Sequence, residues 1–508
     1  MVGSGSIFVS VDLGTNGIKV ALLDESVQFL GLEYSETSLC HLPSGEVIQD
    51  PDILLETALE SVSHLLEKTG IDKSRVVCLS FTGQMGGIIG IDEDFNNITG
   101  YDSALDGRSG EKYQSIQKEF QEELYSISSG YPIQIAKILW WKEKNREIYN
   151  SVKKFIPLVS YVVGKCCGHD SNQAYCDYTH LSFSGCHSVE TMSWSEDLCK
   201  MYGLDMEKLP RILNPQEVVG KLNREFSCIS GLPEGLPLIA GCGDQAACLL
   251  GAGIVNEGQL VNVAGSNSVI FTCSDKFISD PNHKVVYMNS VFKDCFYPFT
   301  VVNGGGINLR WFRDTFFEDL KGKDIYYEFD KEIENLKWEE KPLFFIPHLS
   351  GRICPSMPNM GGAWVGLKYN HGKMHQYKSI LESLAYECRF GLECFNSLFP
   401  KRKYDFVSVI GGGAKSDLWN QIKADITGIP FRKVSCRELG LFGAGMLAAY
   451  ANGNIKDLKK YALDSVKFDK EYQVNNQNQV NYDKLYKKYK KIMNLIQSYY
   501  DSEENNEK

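Results

Sequence analysis

Three aspartates stand among glycines and small residues, where a carboxylate is open to another molecule. Asp12 lies in residues 7–23, IFVSVDLGTNGIKVALL, beside a Gly14-Thr15-Asn16-Gly17 turn. Asp244 lies in GCGDQAA, residues 241–247, between an apolar run and a small-residue helical pattern. Asp106 stands two residues before Arg108 in YDSALDGR, at the entrance of a polar helix. A carboxylate so placed can accept a proton or hold a hard cation. It can equally cap a helix, which accounts for Asp106 or Asp244 with no chemistry at all. The turn beside Asp12 adds a second capability, because a turn of glycine and short polar residues points backbone N–H groups at an anion such as a phosphate. Standing alone, it is also consistent with a hairpin that binds nothing.

The elements that must position these groups follow an α/β rhythm. Residues 7–11 are mostly β-branched or aromatic and apolar character resumes at 18–23, which predicts a β-hairpin. Residues 50–68 carry apolar side chains at helical spacing behind an Asp-Pro start, and Gly70 ends that helix. A strand over 76–81 opens into Thr82-Gly83-Gln84-Met85-Gly86-Gly87. Such a loop is either a ligand site of an open sheet or a plain connecting turn. Lys137, Trp140 and Trp141 share a helix over 136–143, where a tryptophan pair is more often core than ligand platform.

Residues 259–274, QLVNVAGSNSVIFTCS, repeat the opening hairpin in form around Gly265-Ser266-Asn267-Ser268. Two such hairpins predict an internal duplication with a boundary near residues 251–258. Facing each other across a cleft, they could clamp a nucleotide's phosphates from both sides. Further on, three glycines ending at Gly306 precede an amphipathic helix that carries Arg310. A strand over 406–410 then opens into Gly411-Gly412-Gly413-Ala414-Lys415 and a helix through Trp419, a suitable seat for an adenine or ribose. Residues 475–481, NNQNQVN, read as a polar linker. Beyond it, Tyr482, Leu485, Tyr489, Ile492 and Ile496 form a helical stripe that should dock on the body.

At 508 residues the chain should divide into two or three domains. Its net charge of -11 argues against nucleic acid or an anionic membrane as the main partner. The 16 cysteines are scattered and show no zinc-like CxxC pairs, so reduced, mostly buried thiols are expected. The opening MVGSGSIFVSVDLG lacks the basic leader of a secretory signal, and no apolar run approaches the ~20 residues that cross a bilayer. A cytoplasmic protein is the expectation.

Taken in order, DLGTNGIKV, GCGDQAA, VAGSNSV and GGGAKSDLWNQIKADITG resemble the first phosphate loop, catalytic-aspartate loop, second phosphate loop and adenosine loop of the FGGY family of carbohydrate kinases, within the actin-like ATPase superfamily. The resemblance runs to about residue 451 and is strongest to xylulose kinases. It implies an α/β fold with two actin-like (ribonuclease H-like) ATPase domains flanking a deep cleft. Residues 1–252 would hold the sugar site and first phosphate loop, 253–452 the nucleotide site, and 453–508 a C-terminal extension. The activity implied is transfer of the ATP γ-phosphoryl to a terminal hydroxyl of a ketose, D-xylulose giving D-xylulose 5-phosphate. Ribulose, L-xylulose, glycerol or another pentulose or polyol are alternative acceptors. A non-catalytic, nucleotide-dependent actin-like module is the alternative outside enzymology.

By the same resemblance Asp244 is the base that takes the hydroxyl proton, and Gln84, Met85, Asp106 and Asp244 hold the sugar. Asp12 helps to hold Mg2+. Thr15, Asn16, Lys19, Gly265, Ser266, Asn267, Gly306, Arg310, Gly412, Gly413, Ala414 and Asp417 bind ATP. Departures from the xylulose kinase pattern fall on the substrate side: Gly86 stands where histidine is usual, Leu105 where asparagine is, and Arg352 where glutamate is. Sugar and ATP are the expected partners, with no nucleic acid or membrane, and a homodimer is admitted.

Overall fold

The computed structural model describes residues 5–42, 45–336, 342–436 and 438–506. The first four residues of the opening stretch lie outside them. The hairpin read from residues 7–23 is formed by Ile7–Leu13 and Gly17–Leu23, antiparallel, with Asp12 opposite Lys19 and Leu13 opposite Ile18 at the turn end. Both strands are buried on both faces, so apolar side chains stand on both, with Ser10, Asp12 and Lys19 the polar exceptions. Ile7–Leu13 also pairs in parallel with Val76–Gly83, and Gly17–Leu23 pairs with Phe29–Glu36 on the other side.

A second sheet repeats this arrangement. Leu260–Ala264 and Ser268–Thr272 form its hairpin, flanked by the parallel strand Val407–Ile410 and by Phe296–Val302. Each sheet then continues through one more parallel strand, Pro237–Ile239 or Phe431–Val434, to an antiparallel edge, Val218–Lys221 or Phe468–Tyr472. Strand order and sense therefore match across both halves, the duplication expected from the two hairpins.

Two helices form a seam against the first sheet. Asp244–Gly251 packs with Leu439–Ala451, and their buried Ala246, Leu250, Leu441 and Met446 share a cluster with Phe8 and Leu23 of the first hairpin. Leu439–Ala451 is apolar all round, as a helix covered on every side must be. Ser80 Oγ, on the first sheet, donates to its Ala444 carbonyl at 3.0 Å.

Helix Pro51–Thr69 starts and stops where its sequence signals, with the Asp50 carboxylate accepting from the Asp52 and Ile53 amides and Gly70 left-handed at φ 62. The tail requires a correction. Residues 475–481 are not a linker, because helix Asn476–Asn506 begins inside them. Asn475 Oδ1 accepts from the Gln477 and Asn478 amides, and Asp425 accepts from the Asn475 amide and the Asn478 side chain, so the polar run is a pinned helix start. Beyond it Tyr482, Leu485 and Tyr489 are buried in the second core, with Ile492 and Ile496 against it, so the helix docks on the body. The cysteines are free thiols, mostly buried. No helix among the described residues is long and apolar enough to cross a membrane.

Candidate functional site

Asp244 and the Gln84-Met85 loop leave the same sheet side by side. The short strand Cys242–Gly243 runs parallel to the end of Val76–Gly83, pairing Cys242 with Thr82 and Gly243 with Gly83. A Cβ on Gly243 would overlap the Met85 sulfur, so only glycine lets this helix start so close to the loop. Gly243, not Asp244, is the cap residue. Asp244 is the first residue of the helix, and its carboxylate accepts from the Gln245 amide at 2.7 Å. Behind it, Thr179 Oγ1 accepts from the Gly243 amide at 2.8 Å, while buried Asp177 holds both Thr179 and His180. Loss of solvent pushes the Asp244 carboxyl up to about 6, against the Gln245 amide and the His180 ring, which favour the ionised form.

Asp12 is the second carboxylate of this group. Its Oδ1 is enclosed and has no hydrogen-bond partner. Loss of solvent, followed by repulsion from Asp244, pushes it up to about 7 in spite of Lys19. An enclosed, unpartnered carboxylate oxygen within electrostatic reach of another carboxylate fits a divalent cation. Among the described residues no group of three or more His, Cys, Asp or Glu side chains converges there or elsewhere. A cation on Asp12 would therefore keep most of its water, as Mg2+ does. Lys19 does not stand free beside it, since Lys19 Nζ donates to Glu438 at 2.7 Å.

The first turn is tied to the Gln84 loop by a closed ring of hydrogen bonds. Thr15 Oγ1 donates to Gln84 Oε1 (3.3 Å), Gln84 Nε2 to Gln49 Oε1 (2.9 Å), and Gln49 Nε2 to the Thr15 carbonyl (3.1 Å). The Asn16 carbonyl accepts from Tyr34 OH and the Thr37 amide. In the second turn the Gly265 carbonyl accepts from the Gly306 amide, and the Ser266 carbonyl accepts from the amides of Gly305 and Ile307. With their carbonyls tied back, both turns suit an anion better than a cation.

Gly265, Ser266, Gly306, Arg310, Gly412, Gly413 and Asp417 line one cavity of about 800 Å³ in the second half, within the usual range for a cofactor or ligand site. Arg310 reaches Ser266 Oγ at 3.1 Å. Asn267 and Ala414 adjoin this group without lining the cavity; Ala414 is buried, its carbonyl bound by Asn420. Asp417 is held by Lys470 (2.8 Å) and Tyr472 (2.5 Å). Helix Tyr326–Glu334 supplies another wall through Tyr326, Tyr327 and Asp330, and Asp330 accepts from Ser416 Oγ at 2.6 Å. No local motif marks these wall residues, nor Gln49 and Glu438. Gln49 meets Gln84 35 positions away, Asp330 meets Ser416 86 away and Glu438 meets Lys19 419 away, and only the fold brings these pairs together.

Asp106 is buried near the Gln84 loop, beyond Gly86, which is left-handed at φ 81 and lies against Ala104. A side chain in place of Gly86 would strain this loop, so the site is built for glycine there. Arg108 Nε donates to both Asp106 oxygens at 3.0 Å. Arg352 is buried, in contact with Glu387 at 3.6 Å and packed over the Phe390 ring.

Residues 7–251 match the N-terminal domain of the FGGY family of carbohydrate kinases, and residues 260–452 match its C-terminal domain. The xylulose kinase of Bacillus subtilis (strain 168) is 25% identical over 488 residues, covering 95% of this chain and 96% of that protein. The gluconokinase of Bacillus licheniformis is 25% identical over 465 residues, 89% of this chain and 88% of its own. Among solved structures, a ligand-bound xylulose kinase from Lactobacillus acidophilus superposes with a TM-score of 0.89 at 23% identity, over 98% of this chain and 99% of that one. The two-domain α/β fold, the repeated hairpins and both domain matches lead to one conclusion: the chain belongs to the FGGY family of carbohydrate kinases.

Proposed function

We propose that this kinase transfers the γ-phosphoryl group of ATP to a terminal hydroxyl of a ketose, D-xylulose giving D-xylulose 5-phosphate. The observation that carries the reading is that the helix starting at Asp244 is packed at Gly243 against Met85, with the unpartnered Asp12 carboxylate within electrostatic reach of Asp244. A sugar hydroxyl is a poor nucleophile at neutral pH, so a base must accept its proton as it attacks. The hydroxyl oxygen forms a bond to the γ-phosphorus, the bond from that phosphorus to the β–γ bridging oxygen breaks, ADP leaves, and the proton passes to Asp244. Gln84, Met85 and Asp106 hold the sugar, while Thr15 and Asn16 present the first turn to the phosphates. Asp12 is the residue that holds Mg2+, which when bound offsets phosphate charge. The adenosine lies in the cavity lined by Arg310 and Gly412-Gly413, with Ser266 at its phosphate end and Asn267 adjoining. On this reading residues 1–252 present the acceptor and 253–452 the nucleotide.

The test is ATP consumption against a panel of ketoses, polyols and sugar acids, with Asp244→Asn as control. Sugar-stimulated turnover that the control abolishes supports the reading. No stimulation by any member would favour a nucleotide-dependent module without catalysis.

A further inference from the structure

Arg108 stands two residues from Asp106 on the proposed acceptor wall, and each of its three nitrogens already faces a carboxylate. Nε donates to Asp106, Nη1 to Glu46 at 2.8 Å, and Nη2 to Asp102, with Asp106 also 2.9 Å from Nη2. The ring centroid of Trp140 lies 4.7 Å from its carbon and that of Trp141 5.4 Å, so indole rings as well as carboxylates pack on the guanidinium. Trp141 Nε1 donates to the second Asp102 oxygen, which fixes that carboxylate in turn. The remaining cation of the cluster, buried Lys137, donates to the Asp106 carbonyl at 3.2 Å. Three carboxylates thus stand against two cations on the wall reached through Gly86 and Ala104, and Asp12 and Asp244 add negative charge at the reacting end.

A carboxylate on the acceptor would meet an Arg108 whose nitrogens all face carboxylates and a buried Lys137 held on the Asp106 carbonyl, and would be repelled by the excess of acid over these two cations. Hydroxyl groups, by contrast, can donate to a carboxylate oxygen with a lone pair left, as on Asp102, where each oxygen has a single donor. We propose that Glu46 and Asp102, by occupying Arg108, set this site for uncharged polyhydroxy acceptors and against sugar acids. The proposal rests on the reading of the Gln84–Asp106 region as the acceptor site. A unit of like charge a few ångströms away in a partly buried site corresponds to a discrimination of roughly a hundredfold.

The experiment measures kcat/KM of the full chain for D-xylulose, D-ribulose, glycerol and D-gluconate, first in the wild type and then in Glu46→Gln. The expected result is at least a hundredfold preference for the best neutral acceptor over D-gluconate. In Glu46→Gln, which frees one side of the guanidinium, the relative kcat/KM for D-gluconate should rise about tenfold. Wild-type turnover of D-gluconate within tenfold of the best neutral acceptor overturns the proposal and leaves the kinase reading intact. An unchanged ratio in a folded Glu46→Gln protein overturns the part assigned to Glu46. Failure of every acceptor, neutral and acidic, instead overturns the kinase reading on which the proposal stands.

Discussion

The two hairpins occupy the same place in two sheets of the same order, yet their last rungs differ in one respect. In the first, the pair before the turn-end rung is Asp12 opposite Lys19; in the second, the same register holds Val263 opposite Val269. The parallel strands beside them diverge in the same way. Val76–Gly83 opens into Gln84 and Met85, whereas Val407–Ile410 opens into Gly412 and Gly413, which line the large cavity. A duplicated scaffold fixes where a turn and a loop will lie, and the side chains placed there divide the work. The Asp12 side suits a cation and, with Asp244, a proton acceptor, and the cavity of the second half, with glycines in its lining, suits the body of a nucleotide.

The largest way to break this comparison is to make the first hairpin resemble the second. Asp12→Asn should lower kcat by about a thousandfold, the scale of losing one strong electrostatic contribution to the transition state, as measured by steady-state turnover at saturating Mg2+. The same variant should melt higher above pH 7. The folded protein binds the Asp12 proton more tightly than the unfolded chain does, since its carboxyl sits at about 7 against a reference of 3.8. Stability from this group is therefore present below about pH 4 and lost as pH rises through 7, and the substitution removes that loss. Thermal melts of both proteins at pH 8 in the absence of metal would check it.

The acid side of the pH profile gives the next effect. With the Asp244 carboxyl pushed up to about 6, its ionised form disappears below that pH. Turnover should then fall about tenfold per pH unit on the acid side, read from kcat against pH. The smallest effect belongs to the second half. Arg310→Ala should raise KM for ATP about tenfold and leave KM for the sugar within twofold, because Arg310 lines the cavity of the second half, the proposed nucleotide seat. Equal changes in both constants would blur the division between the halves.

Much of the fold behind this comparison was legible in the sequence. Both hairpins, the strands leading to the Gln84 and Gly412 loops, and the Asp50 to Gly70 helix signals depend on local pattern, and local pattern is what a sequence displays. What escaped depends on distance. Glu438 meets Lys19, Gln49 closes a ring with Thr15 and Gln84, and Glu46 meets Arg108, all through pairings that no nearby residue announces. Leu439–Ala451 has no apolar stripe to betray which surface it covers, because it is covered everywhere. Residues 475–481 misled for the opposite reason. Their polarity looked like a linker, while Asp425 from another helix supplies the partner that makes them a helix start.

The central claim is that the first half carries the chemistry and the second holds the nucleotide. Asp244→Asn tests it most directly, with ATP binding measured by calorimetry beside turnover on the best acceptor. The account predicts turnover reduced by about 10⁴-fold with ATP affinity within twofold of wild type. Lost ATP binding with unchanged turnover per bound ATP would contradict it.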